Sequence, residues 1–502
     1  MPLLILVFCF SSILYATTDI KILPIPSDQG QNIELPRLID AKDALVVGLK
    51  HNVELINSRE SLTDSTNSLS FAFESWQPQL GEFSASYTIS PSSESTLGYP
   101  QGVITLPSLT QKFPTGTSVT INPPSYTTVR RSYALAYPPP EYRGTYGFGS
   151  PTLTITQNLL QGSNIDVNLA SLKTSIISNL LEKINVIEKY NSTAKSILQS
   201  FRTLQLEHEK VKVFERTEEK LKTAIEVVRS EMEGGTKNKL DLSEKELTLK
   251  KFEIDRKTAE QNLIEQKNSF IDLIGMSSEK KFDIKSPNIK QIPQLKDLQH
   301  YIKIAEKHNL TLRTHQLNTE SAHLTLLQNQ DQARWNLSAS ATLSAYGKNS
   351  NSGSLSLSVP VQQTSNNNQI TSSRIKLFNS KRTYNKYKDY VRSTTKSKYE
   401  KLKNRIESFK ISEQRVTLSH QVTKITTLKY EQGSINALHH SEQLESHINA
   451  ITNHIDAWAA MMNEYDSLLD FCGLLLKSYD IRVSDPSMNY DNYAEAIMPH
   501  HP

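Results

Sequence analysis

The sequence predicts a mainly α-helical chain with a minority of membrane-type β-strands, built as a tandem duplication. Three observations carry this reading. Two long proline-free stretches bear a coiled-coil seam, short segments between them alternate apolar with hydroxylated residues, and one turn phrase occurs twice, 198 residues apart.

Composition narrows the function classes before any motif is read. The 502 residues carry 56 Lys and Arg against 52 Asp and Glu, a net charge of +4, so bulk charge makes no case for a nucleic-acid partner. Past the first twenty residues no apolar run reaches the roughly 18 to 20 residues of a membrane-crossing helix, which excludes a helical pump or carrier. Two cysteines, Cys9 and Cys472, make neither a disulfide scaffold nor a thiolate zinc site.

Residues 1–16 read as a secretory signal peptide: apolar from Pro2 to Leu14, then Leu14-Tyr15-Ala16 with a small last residue. Cys9 follows the bulky Phe8, unsuited to lipoprotein processing, and cleavage after Ala16 removes it. Residues 17–36 follow as a linker. The first repeat is expected over 37–286, the second over 287–477, and a disordered tail over 478–502.

Of 21 prolines, none falls between Pro151 and Pro287 or between Pro360 and Pro486, so both stretches are free to be helical. In the first, Leu169, Leu172, Ile176, Leu180, Ile184, Ile187 and Tyr190 recur at gaps of three or four, as a coiled-coil seam requires. A helix over about 163–232 is roughly 100 Å long at 1.5 Å per residue. Gly234-Gly235 breaks it, and a return helix over about 238–274 ends at Gly275, giving a hairpin over 163–275. The later stretch repeats the plan, with its break at Gly433 and a return helix to Cys472.

The duplication shows in phrases. Glu233-Gly234-Gly235-Thr236-Lys237-Asn238-Lys239-Leu240-Asp241-Leu242-Ser243-Glu244 returns as Glu431-Gln432-Gly433-Ser434-Ile435-Asn436-Ala437-Leu438-His439-His440-Ser441-Glu442. Lys50-His51-Asn52-Val53-Glu54-Leu55 returns as Lys307-His308-Asn309-Leu310-Thr311-Leu312, and Trp76 as Trp335. Between the helical parts, Leu337, Ala339, Ala341 and Leu343 alternate with Ser338, Ser340, Thr342 and Ser344, and Leu355, Leu357 and Val359 with Ser354, Ser356 and Ser358. Their counterparts are Phe83, Ala85, Tyr87 and Ile89, then Leu153 and Ile155. One apolar face and one hydroxylated face suit a barrel with lipid outside and water inside. Four such strands leave open edges, which lipid does not tolerate, so strands that span a membrane require oligomerisation.

This order of signal, helix, strand pair and helical hairpin, taken twice, resembles the TolC family of outer-membrane efflux proteins over nearly the whole mature chain. Asp43-Ala44-Leu45 with Lys50 to Leu55 is similar to the family's first helix, Trp76-Gln77-Pro78-Gln79-Leu80 to its entry into the first strand, and Thr156-Gln157-Asn158-Leu159-Leu160-Gln161-Gly162 and Ser358-Val359-Pro360-Val361 to its exits into the long helices. The resemblance implies a homotrimer whose twelve strands close one outer-membrane β-barrel, continued by a periplasmic α-helical coiled-coil barrel. It implies a passive exit duct of a tripartite efflux or type I secretion system in a Gram-negative cell, in contact with outer-membrane lipid. Its partners would be a periplasmic adaptor protein and an inner-membrane transporter. A secreted coiled-coil structural protein or adhesin is the alternative.

One departure is the length of the first strand connection, 77 residues from Trp76 to Leu153 against 20 from Trp335 to Leu355. The insertion, 91–144, is expected to be an exterior spacer, with an additional hairpin around Phe113-Pro114-Thr115-Gly116-Thr117 and a loop at Tyr137-Pro138-Pro139-Pro140.

No nucleotide loop, metalloprotease helix or nucleophile elbow is present, so neither catalysis, a cofactor nor a metal is expected. The resemblance implies instead a periplasmic gate. Its carboxylate positions fall on His439 and Glu442, its latch on Tyr430 and Asp241, and its linking arginine on Ile435. The tips that meet the adaptor would be Gly234, Gly235, Thr236, Gly433 and Ser434. His440, His447 and His454, seven apart, lie roughly 10 Å from one another along a helix and cannot share a metal, so they are expected in helix packing. Residues 374–405 hold twelve Lys or Arg and two acids with four tyrosines, a composition compatible with nucleic acid by itself but not with a signal peptide and barrel strands.

Overall fold

The computed structural model describes residues 38–92, 95–124, 126–131, 143–235, 237–276, 282–345, 351–359 and 364–481. The expected signal peptide, the linker and the loop at 137–140 lie outside these residues.

The first repeat opens with β1 (Leu38–Ile39), α1 (Ala41–His51) and α2 (Val53–Glu74) and passes through β2 (Gln79–Leu80), β3 (Ser84–Ser92), β4 (Ser95–Thr105), β5 (Leu109–Lys112), β6 (Thr117–Asn122), β7 (Tyr126–Arg131), β8 (Arg143–Phe148) and β9 (Thr152–Asn158). It continues as α3 (Ile165–Asn168), α4 (Ala170–Glu233) and α5 (Lys239–Leu273). The second repeat holds β10 (Asp283–Ile284), α6 (Leu298–His308), α7 (Leu310–Gln332), β11 (Asn336–Ser344), β12 (Ser352–Ser358), α8 (Thr364–Glu431), α9 (Ala437–Phe471) and α10 (Leu475–Ser478). With 64 and 68 residues, α4 and α8 are each about 100 Å long.

The repeated phrase Lys-His-Asn marks a joint that occurs twice. Asn52 ends α1 and caps α2: its side-chain oxygen accepts from the Leu55 N–H at 3.3 Å, while its amide donates to the Leu273 carbonyl at 3.0 Å. Asn309 does the same between α6 and α7, accepting from Leu312 N–H at 2.9 Å and donating to the Phe471 carbonyl at 3.1 Å. One side chain thus satisfies a free N–H of one helix and a terminal C=O of another. The return helices end in Schellman turns at Gly275 and Gly473, both with φ of +69°. A Cβ at Gly275 would meet the His51 carbonyl oxygen at 2.4 Å, and one at Gly473 the His308 carbonyl oxygen at 2.8 Å. The main apolar core surrounds both joints, with Phe201, Phe270, Phe409, Tyr301, Trp458 and Cys472 buried together.

Beside that core lies a buried ion pair between Arg202 of α4 and Asp466 of α9. Arg202 also donates to Asn463 Oδ1 and to the Tyr479 hydroxyl, both at 2.9 Å. Burial pushes the Asp466 carboxyl up, and the adjacent guanidinium opposes it. The tail expected to be disordered from 478 therefore starts as packed structure: Tyr479 bonds this pair and Ile481 lies against the core. The remainder, 482–502, lies outside the described residues.

The sheet differs from the expected strand pairs. Strand order is β12-β11-β9-β6-β5-β2 beside the helices and β3-β4-β7-β8 beyond them. The two parts share one register. Leu80 opposes Leu109 and Ser84 opposes Thr105, Leu109 opposes Ile121 and Ile104 opposes Tyr126, and Thr117 opposes Gln157 and Tyr126 opposes Phe148, so each pairing resumes in phase across its interruption. Apart from β1 and β10, which form a parallel pair of their own, the described strands thus form one six-stranded antiparallel meander, four strands from the first repeat and two from the second. The described part of the insertion belongs to this sheet. Its β5–β6 turn lies at the helix end, where the Pro114 carbonyl accepts from Asn168 Nδ2 at 2.8 Å, and β6 takes the place beside β9 that the spacer reading gave to the segment around Ala85. The reason is the alternation carried by Leu109, Val119 and Ile121: the first lies opposite Ile121, and the other two lie opposite Ile155 and Leu153. Ser340, Thr156 and Ser118 line up on the other face, as do Thr342, Thr154 and Thr120.

The joints lead to a stability prediction. Gly275→Ala and Gly473→Ala combine a left-handed residue with a backbone clash and should cost about 3 kcal/mol or more. Gly433→Ala, with φ of +74° but open space around it, should cost about 1–2 kcal/mol. Thermal unfolding of the three variants checks this; equal losses would contradict the close packing of the joints.

Candidate functional site

The ends of the two long hairpins meet. At the first, α4 stops at Gly234 and the chain turns through Gly235 with φ of +79°; Thr236 lies outside the described residues. At the second, Gly433 N–H donates to the Tyr430 carbonyl at 3.0 Å and Ser434 N–H to the Lys429 carbonyl at 2.8 Å, a Schellman turn. Asn238 and Asn436, matched in the two turn phrases, cap α5 and α9 by accepting from Asp241 N–H and His439 N–H.

Between these tips lies a small joint of Val228, Tyr430 and Ala437. Tyr430 is 6% exposed, and its hydroxyl has no hydrogen-bond partner among the described residues. The expected bond from Tyr430 to Asp241 is therefore not made. The Asp241 carboxylate is occupied elsewhere: it accepts from Asn238 N–H, closing a capping box, and from Ala437 N–H at 3.3 Å, which ties the start of α5 to the start of α9. Tyr430 is held instead by its ring. The Lys237 ammonium lies 3.8 Å from the ring centroid and donates to the Tyr430 carbonyl at 2.8 Å, the His440 ring stacks on it at 5.2 Å, and the Lys245 ammonium lies 4.8 Å away. Burial, with help from the charges of Asp241, Glu231 and Glu244, pushes the phenol up to about 12.

Lys245 was absent from the sequence-based site, and it is the most deeply placed charge here, 1% exposed. Its ammonium donates to His440 Nδ1 and to Ser441 Oγ. The Thr427 hydroxyl gives its proton to the Thr423 carbonyl and so accepts from His440 Nε2 at 3.0 Å, which sets the imidazole as neutral with its proton on Nε2. Burial lowers Lys245 to about 8 and, with the two lysines adding to it, His440 to about 4. A lysine in a polar helix face reads as solvated; only the convergence of α5, α8 and α9, remote in sequence, buries this one.

His439 and Glu442 lie outside this joint, half-exposed, with His439 Nδ1 3.7 Å from Glu442 Oε2. The histidine stripe packs between helices. His447 Nδ1 meets Ser419 Oγ at 2.9 Å, and His454 Nδ1 meets Ser412 Oγ at 2.8 Å and stacks on Phe409. Both serine hydroxyls donate to backbone carbonyls, so the imidazoles are the donors. Burial lowers both histidines. Among the described residues no group of three or more His, Cys, Asp or Glu is placed to hold a metal ion. In the basic run, Arg392 pairs with Glu306 and Lys401 with Glu464, while Arg374, Lys376, Lys381, Arg382 and Lys386 stay exposed.

No protein-family model matches the sequence, and neither does any curated protein. Solved structures do match. The outer membrane protein VceC from Vibrio cholerae aligns with a TM-score of 0.62 at 15% identity, covering 86% of this chain and 96% of that one. The Campylobacter jejuni CmeC outer membrane channel aligns at 0.59 and 11% identity, covering 92% and 90%. The open state of the Neisseria gonorrhoeae MtrE outer membrane channel aligns at 0.61 and 10% identity, covering 87% and 89%. The chain has the fold of these outer-membrane channels. The joint at the hairpin tips is thus the end of the channel fold remote from its strands.

With its hydroxyl unbonded and its ring held by Lys237 and His440, Tyr430→Phe should change stability by no more than about 0.5 kcal/mol. A denaturant midpoint of the variant tests this. A loss of about 1 kcal/mol or more would show that the hydroxyl is bonded after all.

Proposed function

We propose that the chain is an outer membrane factor of the TolC type: a passive exit duct in a Gram-negative outer membrane, formed by three copies and continued through the periplasm by its helices. The observation that carries this is the two-faced sheet. Apolar residues lie along one side of β5, β6, β9, β11 and β12 and hydroxyls along the other, as suits lipid outside and water inside. Among the described residues the meander leaves edges at β12, at β2–β3 and, beyond the reach of β11, at β8, and lipid accepts such edges only when they are paired.

Two unpartnered seams support the oligomer. Leu240, Leu247 and Ile254 on α5 repeat every seven residues and are 65%, 72% and 64% exposed; Ile411, Leu418 and Ile425 on α8 do the same at 59%, 61% and 54%. Apolar heptads of this kind are coiled-coil interfaces awaiting a second copy. With six strands in each chain, three copies close about eighteen strands rather than the twelve expected from four, and barrel diameter grows with strand number. The matched tips, Gly234 to Thr236 and Gly433 to Ser434, are the surface offered to a periplasmic adaptor, which joins the duct to an inner-membrane transporter. His439 and Glu442, repeated three times about the axis, line the mouth.

Two outcomes are expected. The protein should fractionate with the outer membrane as a trimer resistant to mild detergent; a soluble pool would favour the secreted coiled-coil or adhesin reading. Deleting 79–112, the first two strands of the meander, should reduce single-channel conductance or abolish trimer assembly. An unchanged trimer with unchanged conductance would place those strands outside the wall.

A further inference from the structure

The charges in the joint between the hairpin tips give the mouth a direction of response to pH. Lys245 belongs to α5, in the first hairpin, whereas every partner of its ammonium belongs to the second: His440 and Ser441 on α9 and the ring of Tyr430 on α8. His440 in turn bonds Thr427 of α8. The charged and titratable groups around this pair are Glu231 of α4, Lys237 of the first turn, Asp241 and Glu244 of α5, and Tyr430 of α8. One oxygen of Glu244 is buried without a hydrogen-bond partner. Among the described residues no carboxylate bonds the Lys245 ammonium, whose acceptors are an imidazole nitrogen and a hydroxyl. A buried cation so partnered is a desolvation cost carried by the closed joint rather than a bond that holds it shut.

We propose that the joint is a proton-coupled gate, in which closing the tips strips water from Lys245 and His440 and parting them returns both to water as cations. The inference rests on reading the tips as the mouth of the duct. The sign follows from linkage. In the closed joint Lys245 is lowered from 10.5 to about 8 and His440 from 6.5 to about 4. The closed state therefore binds fewer protons than the open one wherever pH lies between each pair of values, and acidification favours opening. Two windows result, one from Lys245 between about 10.5 and 8 and one from His440 between about 6.5 and 4.

Spin labels at Glu233→Cys and Glu431→Cys, on the exposed ends of α4 and α8, report tip separation in the purified full-length trimer without requiring conduction. Between pH 7 and 5 the ratio of separated to closed tips should rise at least threefold. His440→Gln, which keeps the hydrogen-bonding capacity but does not titrate, should remove that rise. Lys245→Met, an apolar side chain of similar length, should remove the alkaline step and at pH 7 shift the tips toward the closed distance. A ratio flat across pH 5 to 10, or tips driven apart by Lys245→Met, overturns the proposal; the second result would make Lys245 a latch. A trimer that responds in this way but never conducts in a planar bilayer supports the proton coupling while contradicting the duct.

Discussion

A β-sheet in a hydrocarbon layer must leave no backbone edge unpaired, because each unsatisfied N–H or C=O there costs several kcal/mol. In the proposed duct that constraint governs the chain. Its six strands present an apolar face and a hydroxylated face, and the meander leaves edges at β12, β2–β3 and β8 that none of the described residues closes. In the proposed trimer, closure by further copies would set the rest: parallel copies would bring the hairpins side by side, and the exposed heptads of α5 and α8 are what such neighbours would cover.

The sheet can transmit position to the tips only if the hairpins leave it at a defined angle. Asp331 holds the exit from β9, its Oδ2 accepting from Gly162 N–H at 2.8 Å. Further along, the Asn52 and Asn309 joints bind the short helices to the ends of the return helices, and Gly275 and Gly473 let the backbones approach. The hairpins keep equal length between their glycines, Gly235 to Gly275 and Gly433 to Gly473, so both tips arrive at one level. The duplication is thus mechanical: two arms of one length hinged at two equivalent joints.

The helices and the two faces of the strands were legible in the sequence because both depend on local periodicity. Proline-free seams located α4, α5, α8 and α9, and alternation located β9, β11 and β12. Strand partners were not legible, since pairing β6 rather than β3 with β9 depends on which of several similar alternating segments finds register, a non-local matter. The hairpin turn around Gly116 was visible as a signal, and the alternation of Val119 and Ile121 could have assigned it to the wall. The Asn52 joint appeared only as a repeated phrase; its bond to Leu273 spans 221 residues. At the tips the family resemblance pointed to Tyr430 and Asp241, yet their bond is replaced because a capping box and Ala437 N–H already engage the carboxylate. Lys245 gave no signal at all, as burial of one lysine among many is a property of the assembled joint.

The central claim is that three copies close one membrane wall from all six strands of each chain. A cryo-electron microscopy map of the detergent-extracted particle, viewed down its axis, tests this most directly. The account predicts threefold symmetry and a closed ring of eighteen strands above a helical tunnel. A ring of twelve strands with the inserted pair outside it would contradict the six-stranded wall, and a particle without threefold closure would contradict the duct itself.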